Sequence, residues 1–215
     1  MTRKLPPEAS VAQPMEGAKL FAPSAERNAE PIARILQDHA PARGRALEIA
    51  SGTGQHVVIF ACALPGLTFH PTDVAPDRLA SIDAHVAESG LGNVEGARML
   101  DAGVAGWSRQ EDPFDLVVLV NLLHLVSARE AETIVREASA VTAPAGTFLI
   151  YGPFRRGGRL TSEGDMRFDA DLRRADPEIG YKDDDWVEGL LADCGLRVAR
   201  SEMPANNLAL IARRD

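Results

Sequence analysis

Two glycines one residue apart, Gly52 and Gly54, stand between a short apolar run and a longer one. Glycine at such places lets the backbone approach a ligand closely and turn from a strand into a helix. The helix start then offers N–H groups without intrahelical partners. Asp73 follows about twenty positions on, where a carboxylate can accept both hydroxyl hydrogens of a ribose. The pattern suits an adenosine cofactor lacking a 2′-phosphate, either a nicotinamide dinucleotide or S-adenosyl-L-methionine. A dinucleotide turn wants a third glycine three positions after the second, beneath the pyrophosphate. Val57 stands there instead. Glu48, inside the preceding run, adds a carboxylate that suits an ammonium and a sulfonium better than a pyrophosphate. Glu48, Gly52, Gly54 and Asp73 together favour S-adenosyl-L-methionine, and a tight strand-helix turn with surface acids is the plain alternative.

Other side chains stand where either chemistry or packing would place them. His124, just past a nearly all-apolar run, could take a proton from an oxygen, nitrogen or carbon nucleophile, because imidazole titrates near neutrality. A histidine packed under the following helix fits the position equally. Tyr151 ends another apolar run and either faces a substrate or closes the core. Arg27 and Asn28 form a polar pair before an apolar helix; one of them could grip a carboxylate, or both could solvate the helix start. His56, just after the glycine turn, reads as a cofactor-side or packing residue rather than a base. Arg155, Arg156 and Arg159 could select an anionic acceptor, although Glu163, Asp165 and Asp169 favour internal ion pairs. The 5 histidines include no pair at metal-ligand spacing, so no metal site is expected.

These residues need a frame, and the hydrophobic pattern supplies one. Strands are expected at 45–50, 67–72, 94–100, 114–120 and 146–151, with helices at 55–64, 76–88 and 128–141 between them. Such alternation implies a parallel sheet covered by helices on both faces and joined by right-handed crossovers. Ahead of it, Pro31 suggests a short turn from Ser24 and a main helix from Pro31 to about His39. Residues 1–23 read as a mobile arm or a segment folded over something else, and 24–215 as a single domain. The stretch 152–182 is too long for a plain connection and reads as a charged insertion with its own short helix near 168–174. A helix at 183–194 should stop at Gly195. Segments 196–202 and 208–212 suit a hairpin at the sheet edge, with Asn206 and Asn207 capping its turn.

Composition bounds the rest. The chain has 215 residues, 45% hydrophobic and 25% charged, as an ordinary globular domain does. With 23 basic against 31 acidic side chains, the net charge of −8 disfavours a nucleic-acid partner. No apolar stretch is long enough for a membrane span, and the first residues lack the apolar core of a secretory signal, so a cytoplasmic protein is expected. Cys62 and Cys194 read as buried, reduced thiols.

Leu47-Glu48-Ile49-Ala50-Ser51-Gly52-Thr53-Gly54-Gln55-His56 resembles the first motif of class I S-adenosylmethionine-dependent methyltransferases. Four further motifs are Ala25-Glu26-Arg27-Asn28, Tyr151-Gly152-Pro153-Phe154, Phe168-Asp169 and Met203-Pro204-Ala205-Asn206-Asn207. Together they make residues 20–213 resemble the methyltransferase-like protein 26 family, a family labelled as a domain of unknown function. The chain departs from that family's usual pattern at Gly164-Asp165 and Tyr181-Lys182, both within the insertion. The resemblance implies a Rossmann-like seven-stranded α/β sheet, mostly parallel with an antiparallel last strand. It implies that the backbone of Ala50, Ser51, Gly52, Thr53 and Gly54 cradles the methionine and ribose of the cofactor. It further implies Asp73 on the ribose diol, Asp101 on the adenine amino group, and Asn121 and Leu122 lining the methyl-transfer mouth. The expected activity is methyl transfer to a small molecule or a protein side chain, with S-adenosyl-L-homocysteine as product. The alternatives are a non-catalytic cofactor-binding or partner-binding protein and a nicotinamide-dependent oxidoreductase.

Overall fold

The computed structural model describes Pro6 and residues 9–215, so any mobility of residues 1–5, 7 and 8 in the front arm lies outside the described residues. The front segment pairs β1 (Gln13–Pro14) with β2 (Leu20–Phe21) in a small antiparallel ribbon. The first helix, α1 (Pro23–His39), runs unbroken through Pro31. The expected turn before Pro31 is absent because the buried stripe Ala25, Ala29, Ile32, Ala33 and Leu36 continues across the proline. Packing of that stripe offsets the lost hydrogen bond, a cost of about 3 kcal/mol in a helix interior.

The alternating units follow as β3 (Gly44–Ile49), α2 (Gln55–Ala63), β4 (Leu67–Asp73), α3 (Pro76–Ser89) and the short β5 (Arg98–Met99). The third strand was expected over 94–100. Val94 makes only an isolated bridge to Phe69, and the Ala97 N–H turns aside to the Asp83 carboxylate at 2.8 Å, so ladder pairing is confined to two residues. Next come β6 (Phe114–Val120) and α4 (Ala128–Val141), as the apolar pattern predicts. Ser127 and Glu130 close a reciprocal capping box at the start of α4. Strand β7 (Thr142–Arg155) extends beyond 146–151 at both ends. The insertion helix α5 (Glu163–Ala175) starts five residues before the expected 168 because Ser162 caps it through the Asp165 N–H. The chain ends with β8 (Lys182–Asp183), α6 (Asp184–Asp193), β9 (Leu196–Glu202) and β10 (Asn207–Arg214).

The sheet order is β5-β4-β3-β6-β7-β10-β9, with β8 beside β7 off that path. Strands β3 to β7 pair in parallel, and β10 runs antiparallel to both β7 and β9. One face buries Leu47, Val117, Leu119, Phe148 and Ile150 against α4 and α6. The other buries Ala46, Phe69, Leu116, Val118 and Tyr151 against α1 and α2. Cys62 departs from the buried-thiol expectation and is exposed, since the apolar α2 shows Ile59 and Cys62 to solvent while Val57 and Phe60 face inward. Among the described residues no helix is long and apolar enough to cross a membrane.

The front ribbon is fastened to the glycine turn. Leu20 N–H donates to Ser81 Oγ at 2.8 Å, and Ser81 Oγ donates to the Thr53 carbonyl at 2.7 Å. Ala22 N–H donates to Gln55 Oε1 at 2.6 Å, which also accepts from Thr53 Oγ1 at 2.9 Å. Gly54 lets α2 and α3 meet: its φ is 91°, and a Cβ there would lie 2.7 Å from Ile82 Cα. Gly90, at φ 67°, ends α3 with open space around it. In urea unfolding, Gly90→Ala should cost about 1 kcal/mol, the left-handed penalty alone. Gly54→Ala should cost on the order of 3 kcal/mol, because overpacking adds to that penalty. Equal losses would contradict this packing.

Candidate functional site

Strand order reverses between β3 and β6, the point at which open sheets of this kind receive ligands above their carboxyl ends. The backbone is bent open on both sides of that crevice. Ala50, just past β3, and Asn121, just past β6, are both left-handed at φ 54° without being glycine. Such residues cost on the order of 1–3 kcal/mol each and persist where their surroundings hold them. Asn121 is held by its N–H, which donates to the Tyr151 carbonyl at 2.8 Å.

The glycine turn forms the floor. Ser51 N–H donates to the Thr72 carbonyl at 2.7 Å, and Gly52 N–H donates to Asp73 Oδ2 at 3.0 Å. Asp73 Oδ1 accepts from its neighbours Val74 and Ala75 at 2.8 and 3.1 Å. Gly52 itself is left-handed at φ 62°, and a Cβ there would approach only the Ala50 carbonyl, at 4.0 Å. Space above Gly52 is therefore open, whereas Gly54 is enclosed by α3. Thr53 and Ser51 are both buried.

Glu48 lies beneath this turn at 1% exposure, and its Oε2 has no hydrogen-bond partner among the described residues. Burial pushes its carboxyl up to about 8, a hydrogen bond from Ser51 opposes the rise, and the Asp73 charge adds to it. A buried carboxyl in this state suits a ligand that brings positive charge. Glu48 and Asp73 thus fit the ammonium, sulfonium and ribose of S-adenosyl-L-methionine, and the open face of Gly52 admits its backbone contact.

Asp101 is exposed and accepts from the Gly103 N–H at 3.1 Å. Around it and Asp73 stand three exposed apolar side chains that the sequence reading passed over: Val74, Met99 and Val104, at 55%, 63% and 59% exposure. Leu100 N–H donates to the Asp73 carbonyl at 3.1 Å, which brings β5 beside Val74. An apolar residue directly after one acid and another shortly before the next was the available signal. Leu122 is half-buried against the core of α4 and α6.

The structure joins three other predicted residues in one cluster on the α1 and α2 face. His56 Nε2 meets Asn28 Oδ1 at 2.7 Å, and the Asn28 and Asn207 amides stand near the buried Tyr151 hydroxyl, where they ease its ionisation. Burial lowers His56 to about 4, so its ring is neutral, and burial raises Tyr151. Arg27 is exposed at the next position of α1.

His124 lies apart, in a 3-10 turn after β6, buried at 5% exposure. Its ring is 5.8 Å from Phe168 and 6.2 Å from Tyr181, both from the insertion. Burial, reinforced by Lys182, lowers it to about 3, which makes it a weak proton acceptor while the insertion covers it. Tyr181 Oη donates to Asp165 at 3.1 Å, and Asp165 also accepts from Thr161 and Ser162. Arg155 pairs with Asp169 at 3.1 Å and shares it with Arg173 at 2.8 Å, while Arg156 reaches Glu202 at 3.2 Å. Asp183, Asp184 and Asp185 come close enough to share an ion, but their oxygens take the N–H groups of Gly157 and Gly158 and the Arg200 guanidinium. A cleft of about 380 Å³ between α5 and α6 is lined by Arg155, Arg173, Lys182 and Trp186 and by none of the glycine-turn residues.

The sheet order, its antiparallel last strand and the flanking helices define the Rossmann-like methyltransferase fold. Within it, the chain belongs to the family described as protein of unknown function DUF938, whose model matches residues 19–214. Solved structures share the fold at low identity. An O-methyltransferase family protein from Burkholderia thailandensis is 21% identical, with a TM-score of 0.76 over 89% of this chain and 57% of its own. A protein described as an O-methyltransferase from Nostoc punctiforme is 18% identical, with a TM-score of 0.78 over 92% and 58%. Human N-acetylserotonin methyltransferase, solved with S-adenosyl-L-methionine, is 15% identical, with a TM-score of 0.73 over 89% and 52%. This chain therefore spans little more than half the length of each of these proteins.

The buried titratable groups predict a two-sided pH profile. His56 and His124, lowered to about 4 and about 3, contribute stability that is present above 6.5 and lost as pH falls. Glu48, raised from 4.5 to about 8, contributes stability that is present below 4.5 and lost as pH rises toward 8. Glu48→Gln should leave the melting temperature unchanged near pH 4.5 and raise it at pH 8. An equal drop at both would contradict the buried, partnerless carboxyl.

Proposed function

We propose that this chain is an S-adenosyl-L-methionine-dependent methyltransferase of the methyltransferase-like protein 26 kind. It would transfer a methyl group to a small molecule or a protein side chain and release S-adenosyl-L-homocysteine. The observation that carries this reading is Glu48 Oε2, buried without a partner beside Asp73 and the glycine turn. Two acids at one crevice suit a ligand that brings positive charge and a vicinal diol. Asp73 would take the ribose hydroxyls, with Val74 and Met99 against the adenine and Asp101 at its amino group. The methyltransferases that share this fold, among them the human enzyme solved with S-adenosyl-L-methionine, lend support.

When bound, the cofactor supplies a methyl group already activated by its sulfonium. The chain would contribute alignment and exclusion of water, which can provide most of the acceleration of such a displacement. Asn121 and Leu122 border the opening, and Phe168 and Tyr181 cover His124 beside it. A neutral, enclosed His124 suits an acceptor that arrives deprotonated or as a free amine. Arg155 and Arg173, which share the Asp169 carboxylate, would be the groups to meet an anionic acceptor. On the same reading the protein would act in the cytoplasm, and its net charge of −8 disfavours a nucleic-acid partner.

A ligand that binds only the native state raises its stability. S-adenosyl-L-methionine and S-adenosyl-L-homocysteine should each raise the melting temperature by several degrees at about a hundred times Kd, and NAD should leave it unchanged. Stabilisation by NAD alone would overturn the reading. Slow, acceptor-independent turnover across a metabolite and peptide panel would favour a binding protein on the same fold.

A further inference from the structure

The front segment touches both banks of the crevice at two consecutive residues. Ala9 packs on the apolar cluster of Leu172, Ile179 and Tyr181, which the insertion builds with Leu125 and Phe168. That cluster sits at the end of β6, where the Gly180 N–H donates to the His124 carbonyl at 3.0 Å. Ser10 faces the other bank. Arg78 Nη2, in the first turn of α3, donates to the Ser10 carbonyl at 3.3 Å and to Ser10 Oγ at 3.4 Å. Helix α3 follows β4, and β3 lies between β4 and β6 in the sheet. A chain that reaches both banks therefore crosses above the carboxyl end of β3 and its glycine turn. A Cβ on Gly52 would meet only the Ala50 carbonyl, at 4.0 Å, so the segment roofs the turn without pressing on it.

The two ends of this segment are held unequally. Its far end is fixed by short bonds from the Leu20 and Ala22 N–H groups to Ser81 and Gln55, and His85 Nε2 donates to the Leu20 carbonyl at 2.9 Å. Lys19 pairs with Glu88 beside them. Between the ends, β1 and β2 fold back on each other, with the Met15 N–H donating to the Lys19 carbonyl at 2.9 Å. The near end rests on the Arg78 contacts, which are long for hydrogen bonds, and on one small apolar side chain. A segment held in this way opens at its lightly fastened end first.

We propose that residues 9–22 form a strap, hinged at Leu20–Ala22 and latched at Ala9 and Ser10, that opens to admit the cofactor and closes over it. This rests on the proposed function, which supplies the ligand beneath the strap. A closing segment commits a bound ligand and keeps water from the reacting group. The latch also ties the two halves of the site together. Arg78 stands on the helix that Asp73 leads into, and Ala9 sits on the cluster whose Tyr181 covers His124. Closing the strap over the cofactor thus braces the insertion against the same segment, and opening it releases both.

Hydrogen exchange and ligand release, both measured on the full chain with S-adenosyl-L-homocysteine as the probe, test this together. In the wild type, bound ligand should slow exchange of the backbone amides between Ser10 and Met15 severalfold, a reading that needs no variant. Arg78→Ala removes one side of the latch, and Ala9→Asp sets a carboxylate against the apolar cluster on the other. Each should release labelled S-adenosyl-L-homocysteine about threefold to tenfold faster than the wild type, the scale of one hydrogen bond. Faster release in only one variant, or in neither, would overturn the strap, as would strap amides whose exchange the ligand leaves unchanged. Failure of the wild type to bind S-adenosyl-L-homocysteine would instead overturn the proposed function, and the role of the strap with it.

Discussion

The Asp73 carboxylate is the fixed point of this molecule's upper surface. One oxygen draws in the Gly52 N–H from the end of β3, and the other holds the chain's exit from β4 through Val74 and Ala75. Thr72 adds a second layer, with its hydroxyl donating to the Glu48 carbonyl at 2.8 Å and its N–H to Ser51 Oγ at 3.2 Å. Two adjacent strand ends are thereby locked in register at the place where the sheet changes direction. The rest follows from that lock: it aims α2, brings Gly54 against Ile82, and presents Thr53 to Ser81, on which the front ribbon docks.

A surface so organised carries costs that the core must offset. Glu48, His56 and His124 are all buried in states that keep them neutral near pH 7, and Ala50 and Asn121 hold left-handed backbones on neighbouring strands. Desolvated groups and strained residues gather at functional sites because a ligand, rather than the fold, satisfies them. Here they fall into two groups. One surrounds the glycine turn and Tyr151 on the α1 and α2 face, and the other lies beneath the insertion with His124, Tyr181 and Asp165. On the proposed function, the first group would meet the cofactor and the second the methyl acceptor.

Much of this was legible in the sequence where local chemistry decides structure. The apolar run of β6 and the periodicity of α4 gave their bounds, and the spacing of Glu48, Gly52, Gly54 and Asp73 marked the crevice. What escaped depends on contacts between distant residues. Nothing near Pro31 says that α1 continues, because the packing that carries it through comes from α2. The diversion of the Ala97 N–H to Asp83 shortens β5 in a way that its composition conceals. Asn28, His56 and Asn207 read separately as a helix start, a packing residue and a turn cap, and only the fold shows that they converge on Tyr151. The exposed Val74 and Met99 were hidden for a related reason: an apolar residue in sequence is expected in a core.

On the proposed function, the crevice held by Asp73 takes an adenosine cofactor and turns its acidic floor to a cation. The decisive measurement is a crystal structure of the chain with S-adenosyl-L-homocysteine. The ribose hydroxyls should lie on Asp73, the adenine along Val74 beside Asp101, and the amino-acid end over Glu48. Ligand density away from the Gly52–Gly54 turn, or a turn left empty in crystals grown with saturating ligand that binds in solution, would contradict it.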